Sequence, residues 1–191
     1  NTSLYVVDQS NQKIRKIVIS SGEVTTLAGT AYTESGYTDD NGTDARFYNP
    51  TDITIVGTNL YVADSGNNKI RKIEIATGEV TTFAGTATTE SGYTDDTGTD
   101  ARFDGPSGIT SDGTNLYVSD TNNHKIRKIE IATGEVTTLA GTATTESGIT
   151  DGTGTNARFN NPTVITTDGT NLYVSDSGND MIRKVVISTG V

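Results

Sequence analysis

Leu-Tyr-Val recurs at Leu4, Leu60, Leu116 and Leu172, each copy 56 residues after the one before. A period of this length, filled with short β-type runs and turn residues, marks stacked supersecondary units that cannot bury their apolar faces alone. The copies are close to identical. Lys69 to Asp104 and Lys125 to Asn160 differ only at Phe83/Leu139, Tyr93/Ile149, Asp96/Gly152, Asp100/Asn156 and Asp104/Asn160. Units this similar leave little room for one asymmetric active site, and units that share interfaces read as one cooperative domain over 1–191.

The unit from Asn49 to Phe103 reads strand by strand. Pro50 breaks the chain, and Asp52-Ile53-Thr54-Ile55 alternates apolar with polar as a short strand does. Gly57-Thr58-Asn59 turns into Leu60-Tyr61-Val62-Ala63, and Asp64 to Asn68 turns into a third strand from Lys69 to Ala76. The apolar residues Ile70, Ile73 and Ile75 change phase once, which predicts a bulge near Arg71-Lys72. Thr77-Gly78 then leads to a fourth strand, Glu79 to Ala84, and the polar stretch Gly85 to Phe103 crosses to the next unit. Four antiparallel strands and a crossing loop make the blade of a β-propeller, an all-β fold in which sheets pack face to face about a hub. Repeated Gly, Asn and Thr rule out a sustained helical stripe.

Pro-x-x-Ile-Thr, Gly-Thr-Asn-Leu-Tyr-Val-x-Asp and x-Asn-x-Lys-Ile-Arg-Lys-Ile together resemble the NHL-repeat family of β-propellers, in particular its bacterial branch with a D-G-x-G-x-x-A-R-F connector. The resemblance covers essentially the whole chain. It implies a propeller of four-stranded blades and a range of roles: binding scaffold, RNA binder, lyase or hydrolase.

The units run approximately 1–48, 49–104, 105–160 and 161–191, two complete blades between two partial ones. Asn1 corresponds to Gly57 and Val191 to Glu79. Three arrangements follow: a piece of a longer propeller, a ring completed by a second copy, or a small closed ring. Open strand edges recruit partners.

Net charge is −10, from 14 Lys and Arg against 24 Asp and Glu, which disfavours nucleic acid and anionic membrane surfaces as partners. No apolar run is long enough for membrane insertion. Cysteine is absent, so disulfides, thiolate metal sites and a Cys nucleophile are all excluded. An acidic, Thr-rich, Cys-free repeat chain points to an extracellular or cell-surface location.

Candidate sites follow the repeat. Asp8, Asp64, Asp120 and Asp176 close the second strand, with Asn11, Asn67, Asn123 and Asn179 three residues on. Their presence in every unit reads as turn structure, the carboxylate accepting backbone N–H groups and the Asn supplying a left-handed position. Arg15, Arg71, Arg127 and Arg183 suit bidentate pairing with carboxylates. The connector acids Asp39, Asp40, Asp44, Asp95, Asp96 and Asp100 are candidate ligands for calcium, a hard cation that takes several oxygen donors. His124, the only histidine, falls where other units have Gln12, Asn68 and Asp180, and reads as a solvent-facing turn side chain. One His cannot build the metal site of a propeller lyase, and no base stands ready to activate the many Ser and Thr hydroxyls. Tyr37 and Tyr93 lie on connectors, where exposed aromatics favour a partner or a sugar. The reading is therefore a non-catalytic binding module for protein or carbohydrate, with self-assembly into a homo-oligomer and a lyase or hydrolase fragment as alternatives.

Overall fold

The computed structural model describes residues 2–190. Asn1 and Val191, on which the reading of the ends falls, lie outside them. The described residues form four antiparallel sheets and short 3-10 turns. Among them no helix is long and apolar enough to cross a membrane.

The first sheet holds β1 (Ser3–Asp8), β2 (Lys13–Val18) and β3 (Val24–Ala28). The second holds β4 (Asp40–Asn41), β5 (Pro50–Val56), β6 (Asn59–Asp64), β7 (Lys69–Glu74) and β8 (Glu79–Ala84), in the order β4-β8-β7-β6-β5. The third runs β9 (Pro106–Ser111), β10 (Asn115–Asp120), β11 (Lys125–Glu130) and β12 (Val136–Ala140), and the last has β13 (Pro162–Thr167), β14 (Asn171–Asp176) and β15 (Met181–Val186). The phase change in the third strand is a register shift between Ile70 and Arg71 against β8, and the same shift falls between Ile14 and Arg15 and between Ile126 and Arg127.

Period-two alternation puts successive side chains on opposite faces of a strand, and here both faces are buried. Leu60, Val62, Ile73 and Val80 pack back against Ile14 and Ala28 of the first sheet. Tyr61, Ala63, Ile70 and Ala84 pack forward against Leu116, Val118, Ile129 and Val136 of the third. Tyr117, Ile126 and Ala140 then meet Leu172, Val174 and Val185 of the last. Each connector drives one ring into the seam it crosses: Phe47, Phe103 and Phe159 are all buried. A large apolar side chain buried this way contributes about 1.5–3 kcal/mol. On the outward faces of the first and last sheets the same positions are open, Leu4 being 54% and Ile182 72% exposed.

The connectors are more ordered than plain crossing loops. Asp40 and Asn41 pair with Val80 and Glu79 as a fifth strand on the outer edge of the second sheet, and Thr97 bridges Glu135 at the corresponding edge of the third. Unpaired edge N–H and C=O groups need partners, and the chain arriving from the previous sheet supplies them. At the inner edge β5, β9 and β13 pack side by side. Thr51 Oγ1 donates to the Ser107 carbonyl at 2.8 Å, Ser107 Oγ donates to the Thr163 carbonyl at 3.1 Å, and Ile109 N–H donates to Asp52 Oδ2 at 2.9 Å. Gly108 sits so close to the next strand that a Cβ there would lie 2.2 Å from the Thr163 carbonyl oxygen.

Candidate functional site

One face of the molecule carries the β1–β2, β6–β7, β10–β11 and β14–β15 turns, and the connectors run across it. Its local order begins at Asp64, whose Oδ1 accepts the Tyr48 N–H at 2.8 Å and whose Oδ2 accepts Asn67 Nδ2 at 2.8 Å and Arg71 Nη1 at 2.9 Å. Asn67 Nδ2 also donates to the Gly36 carbonyl at 2.6 Å. Arg71 reaches the carbonyls of Arg46 and Thr38 and Asp39 Oδ1, the last at 2.5 Å, with its guanidinium 5.2 Å from the centre of the Phe47 ring. The acid-base pair therefore holds the incoming connector onto the sheet that follows. Burial drives the Asp64 carboxyl upward, to about 6, against the pull of Arg71.

The set recurs. Asp120, Asn123 and Arg127 bind Asp104, Gly92, Arg102, Thr94 and Asp95, and Asp176, Asn179 and Arg183 bind Asn160, Gly148, Arg158, Thr150 and Asp151. In the first sheet the bonds of Asp8, Asn11 and Arg15 are local: Asn11 Nδ2 and Arg15 Nη1 donate to Asp8 at 2.8 and 3.4 Å.

The left-handed position differs from the one the sequence suggests. It belongs to the residue after the Asn: Gln12, Asn68, His124 and Asp180 have φ between 55° and 57°. A 3-10 turn such as Ser65–Asn67 holds its third residue in a helical conformation, so the reversal falls one residue later. That residue is also not merely a solvent-facing turn side chain. Gln12 Oε1 accepts Asn49 N–H at 2.5 Å, Asn68 Oδ1 accepts Gly105 N–H at 2.8 Å, and His124 Nδ1 accepts Asn161 N–H at 3.0 Å, each across a seam. Burial, together with Lys125, holds the His124 imidazole below its ordinary value, opposed by Asp176.

The structure does not bring the six connector acids into one donor set. Asp39 and Asp95 are taken by Arg71 and Arg127 and by the backbone and hydroxyls of Thr82 and Thr138. Asp40 and Asp96 accept the N–H of the next residue, Asn41 or Thr97. Asp44 and Asp100 are exposed, and their carbonyls accept Arg46 and Arg102. Among the described residues no group of three or more His, Cys, Asp or Glu is placed to hold a metal ion.

Tyr37 and Tyr93 are half-exposed, each lying over the ammonium group of the next sheet's lysine: Lys69 at 5.3 Å and Lys125 at 5.1 Å from the ring centres. Two further aromatics share this face and escape the repeat-based reading because they occur in one unit only. Tyr32 is 74% and Tyr48 49% exposed, where the other units have Thr88 and Thr144, and Asp104 and Asn160. Their departure from a nearly uniform repeat is the signal that marks them. A separate small cleft at the inner edge is lined by Thr51, Asp52, Ser107, Gly108, Thr163 and Val164, and burial raises the Asp52 carboxyl against the N–H groups of Ile109 and Ile53.

No family model matches the chain. It is similar to human NHL repeat-containing protein 2, with 32% identity over 158 residues, covering 76% of this chain and 22% of that protein. A Bacteroides thetaiotaomicron protein of unknown function shares its fold at a TM-score of 0.77 and 27% identity, over 96% of this chain and 44% of that one. An auxiliary nutrient binding protein from the same organism does so at 0.74 and 22% identity, over 95% and 44%. The chain spans about a fifth of the curated relatives it matches.

Proposed function

We propose that this chain, which belongs to the NHL-repeat family of β-propellers, acts as a non-catalytic binding module that presents its connector face to a protein or carbohydrate partner. Its sheets are read as successive blades on the 56-residue period, the second and third complete and the outer two partial. The observation that carries the functional reading is how the reactive groups are used. The repeated Asp, Asn and Arg side chains at the turns are spent on fastening connectors to sheets, which leaves aromatic rings, amides, hydroxyls and exposed acids such as Asp44 and Asp100 as what the face offers. A nutrient-binding protein among the structures of like fold supports the same direction. The acidic, cysteine-free composition supports a place outside the cell or at its surface.

The test is a binding screen with a parallel assay for turnover. Saturable binding to a spot on a glycan array or a cell-surface protein array is expected, with ester, phosphate-ester and lactone substrates left unchanged. Turnover proportional to protein concentration overturns the non-catalytic reading, and silence on both arrays overturns the binding reading. One observation favours a second reading, association of copies through the outward faces of the first and last sheets: Leu4, Val6, Tyr173 and Ile182 are all exposed there. Light scattering that gives the monomer mass at high concentration dismisses it.

A further inference from the structure

We infer that the seam between the first and second sheets carries a binding ledge for an uncharged carbohydrate, formed by Tyr32, Tyr37 and Tyr48; this rests on the binding-module reading above. Contacts on both sides place the three rings along one seam. Gln12 and Lys13 are chain neighbours: Gln12 Oε1 holds Asn49 N–H and Lys13 Nζ donates to the Ala31 carbonyl at 3.2 Å. Tyr48 and Tyr32, each one residue from those anchors, therefore flank the same turn. On the other side of the seam Gly66 N–H donates to the Tyr48 carbonyl at 2.8 Å, and Asn67 holds Gly36, the neighbour of Tyr37. The Tyr48 ring lies directly on Gly66, where a Cβ would come within 2.6 Å of its Cδ1, and the Tyr37 ring lies over Lys69. Two of the rings are thus braced from below with half their surface open.

The charge around the ledge selects the ligand class. Lys13 is held by the Ala31 carbonyl, Arg46 by the carbonyls of Thr43, Asp44 and Ala45, Lys69 by those of Thr86 and Thr88, and Arg71 by Asp39 and Asp64. Glu34 faces Arg46 Nε at 3.9 Å. Each of these cations already donates to a carbonyl or a carboxylate, and the exposed Glu34, Asp40 and Asp44 add negative charge beside them, which disfavours an anion. What remains is aromatic surface beside side-chain amides, such as the Gln9–Asn49 pair at 2.8 Å, and the exposed Thr33. Tyr rings offer an apolar face and a polar tip at low conformational cost, and a pyranose offers the complement, a C–H face and a rim of hydroxyls. The corresponding positions hold Thr88, Tyr93 and Asp104 at the next seam and Thr144, Ile149 and Asn160 at the last, so the ledge is confined to one seam.

The experiment is isothermal titration of the chain with cellohexaose, maltohexaose, xylohexaose and mannohexaose. The variants are the triple substitution Tyr32→Thr/Tyr37→Ile/Tyr48→Asn, which writes the last seam's residues into the first, and Tyr93→Ile as control. Binding of at least one oligosaccharide is expected, weakened tenfold or more in the triple variant and unchanged in the control. A cooperative melt well above the titration temperature, with the parent's circular dichroism spectrum, establishes that each variant keeps the fold. Equal affinity of the triple variant, or no binding of any of the four sugars to the parent chain, overturns the ledge. Neither result touches the broader reading, which falls only with silence on both arrays, and cleavage of a sugar seen by chromatography overturns the non-catalytic part alone.

Discussion

Tyr37 lies over the ammonium group of Lys69 in the following sheet, 5.3 Å from ring centre to Nζ, and at the last seam both partners are replaced together by Ile149 and Met181. Tyr93 and Lys125 keep the arrangement at 5.1 Å. A ring over a cation and a pair of aliphatic side chains are each self-consistent, while either half-exchange leaves a buried ammonium or an aromatic face without its counterpart.

A double-mutant cycle on Tyr37→Ile and Lys69→Met should therefore show coupling. The interaction energy expected from urea denaturation is about 0.5–2 kcal/mol. Additive single effects would mean that the joint replacement at the last seam has another origin.

Arg71 and Arg15 occupy the same position in their sheets yet should differ in cost. The Arg71 side chain is wholly buried between Asp64 and Asp39, whereas Arg15 is 30% exposed and meets Asp8 at 3.4 Å. Arg71→Met strands a buried carboxylate and should cost about 3–5 kcal/mol. Arg15→Met should cost about 1 kcal/mol or less. Equal shifts in urea midpoint would refute the connector-fastening role.

His124 makes one seam sensitive to acid. Its Nδ1 must be unprotonated to accept Asn161 N–H, and its folded-state value lies below the ordinary 6.5. The neutral form is thus favoured on folding, so this contribution is present above pH 6.5 and is lost as pH falls through the folded-state value. His124→Asn and His124→Gln place at this position the amides that act at Asn68 and Gln12. The difference in stability between parent and either variant should change as pH falls below about 6.5, and a pH-independent difference would count against the bond.

Calcium should leave the melting temperature unchanged relative to a chelator, because the carboxylates of Asp39 and Asp95 are already engaged by Arg71 and Arg127. A concentration-dependent rise in Tm on adding calcium would show that the connector acids rearrange into a ligand set.

Much of the local order is legible in the chain. The phase slip among Ile70, Ile73 and Ile75 marks the register shift at Ile70/Arg71, and Glu79 to Ala84 is the fourth strand to the residue. Alternation, however, reports that two faces exist, not what covers them; only stacking shows that Leu60 and Tyr61 are both buried. The pairing of Asp40 with Val80 was equally hidden, since an edge partner is chosen by the unmet N–H and C=O groups of another segment rather than by side-chain pattern. His124 looked like a turn residue because its second role lies 37 positions away, at Asn161.

The bonds that fasten a connector to the sheet after it join residues 16 to 43 positions apart, less than one copy of the motif. Any in-frame tandem duplication of a full period, wherever its breakpoints fall, therefore yields a new unit with both joints already encoded. During synthesis on the ribosome, each joint can close before the following copy has emerged, so assembly can proceed copy by copy from the amino to the carboxyl end.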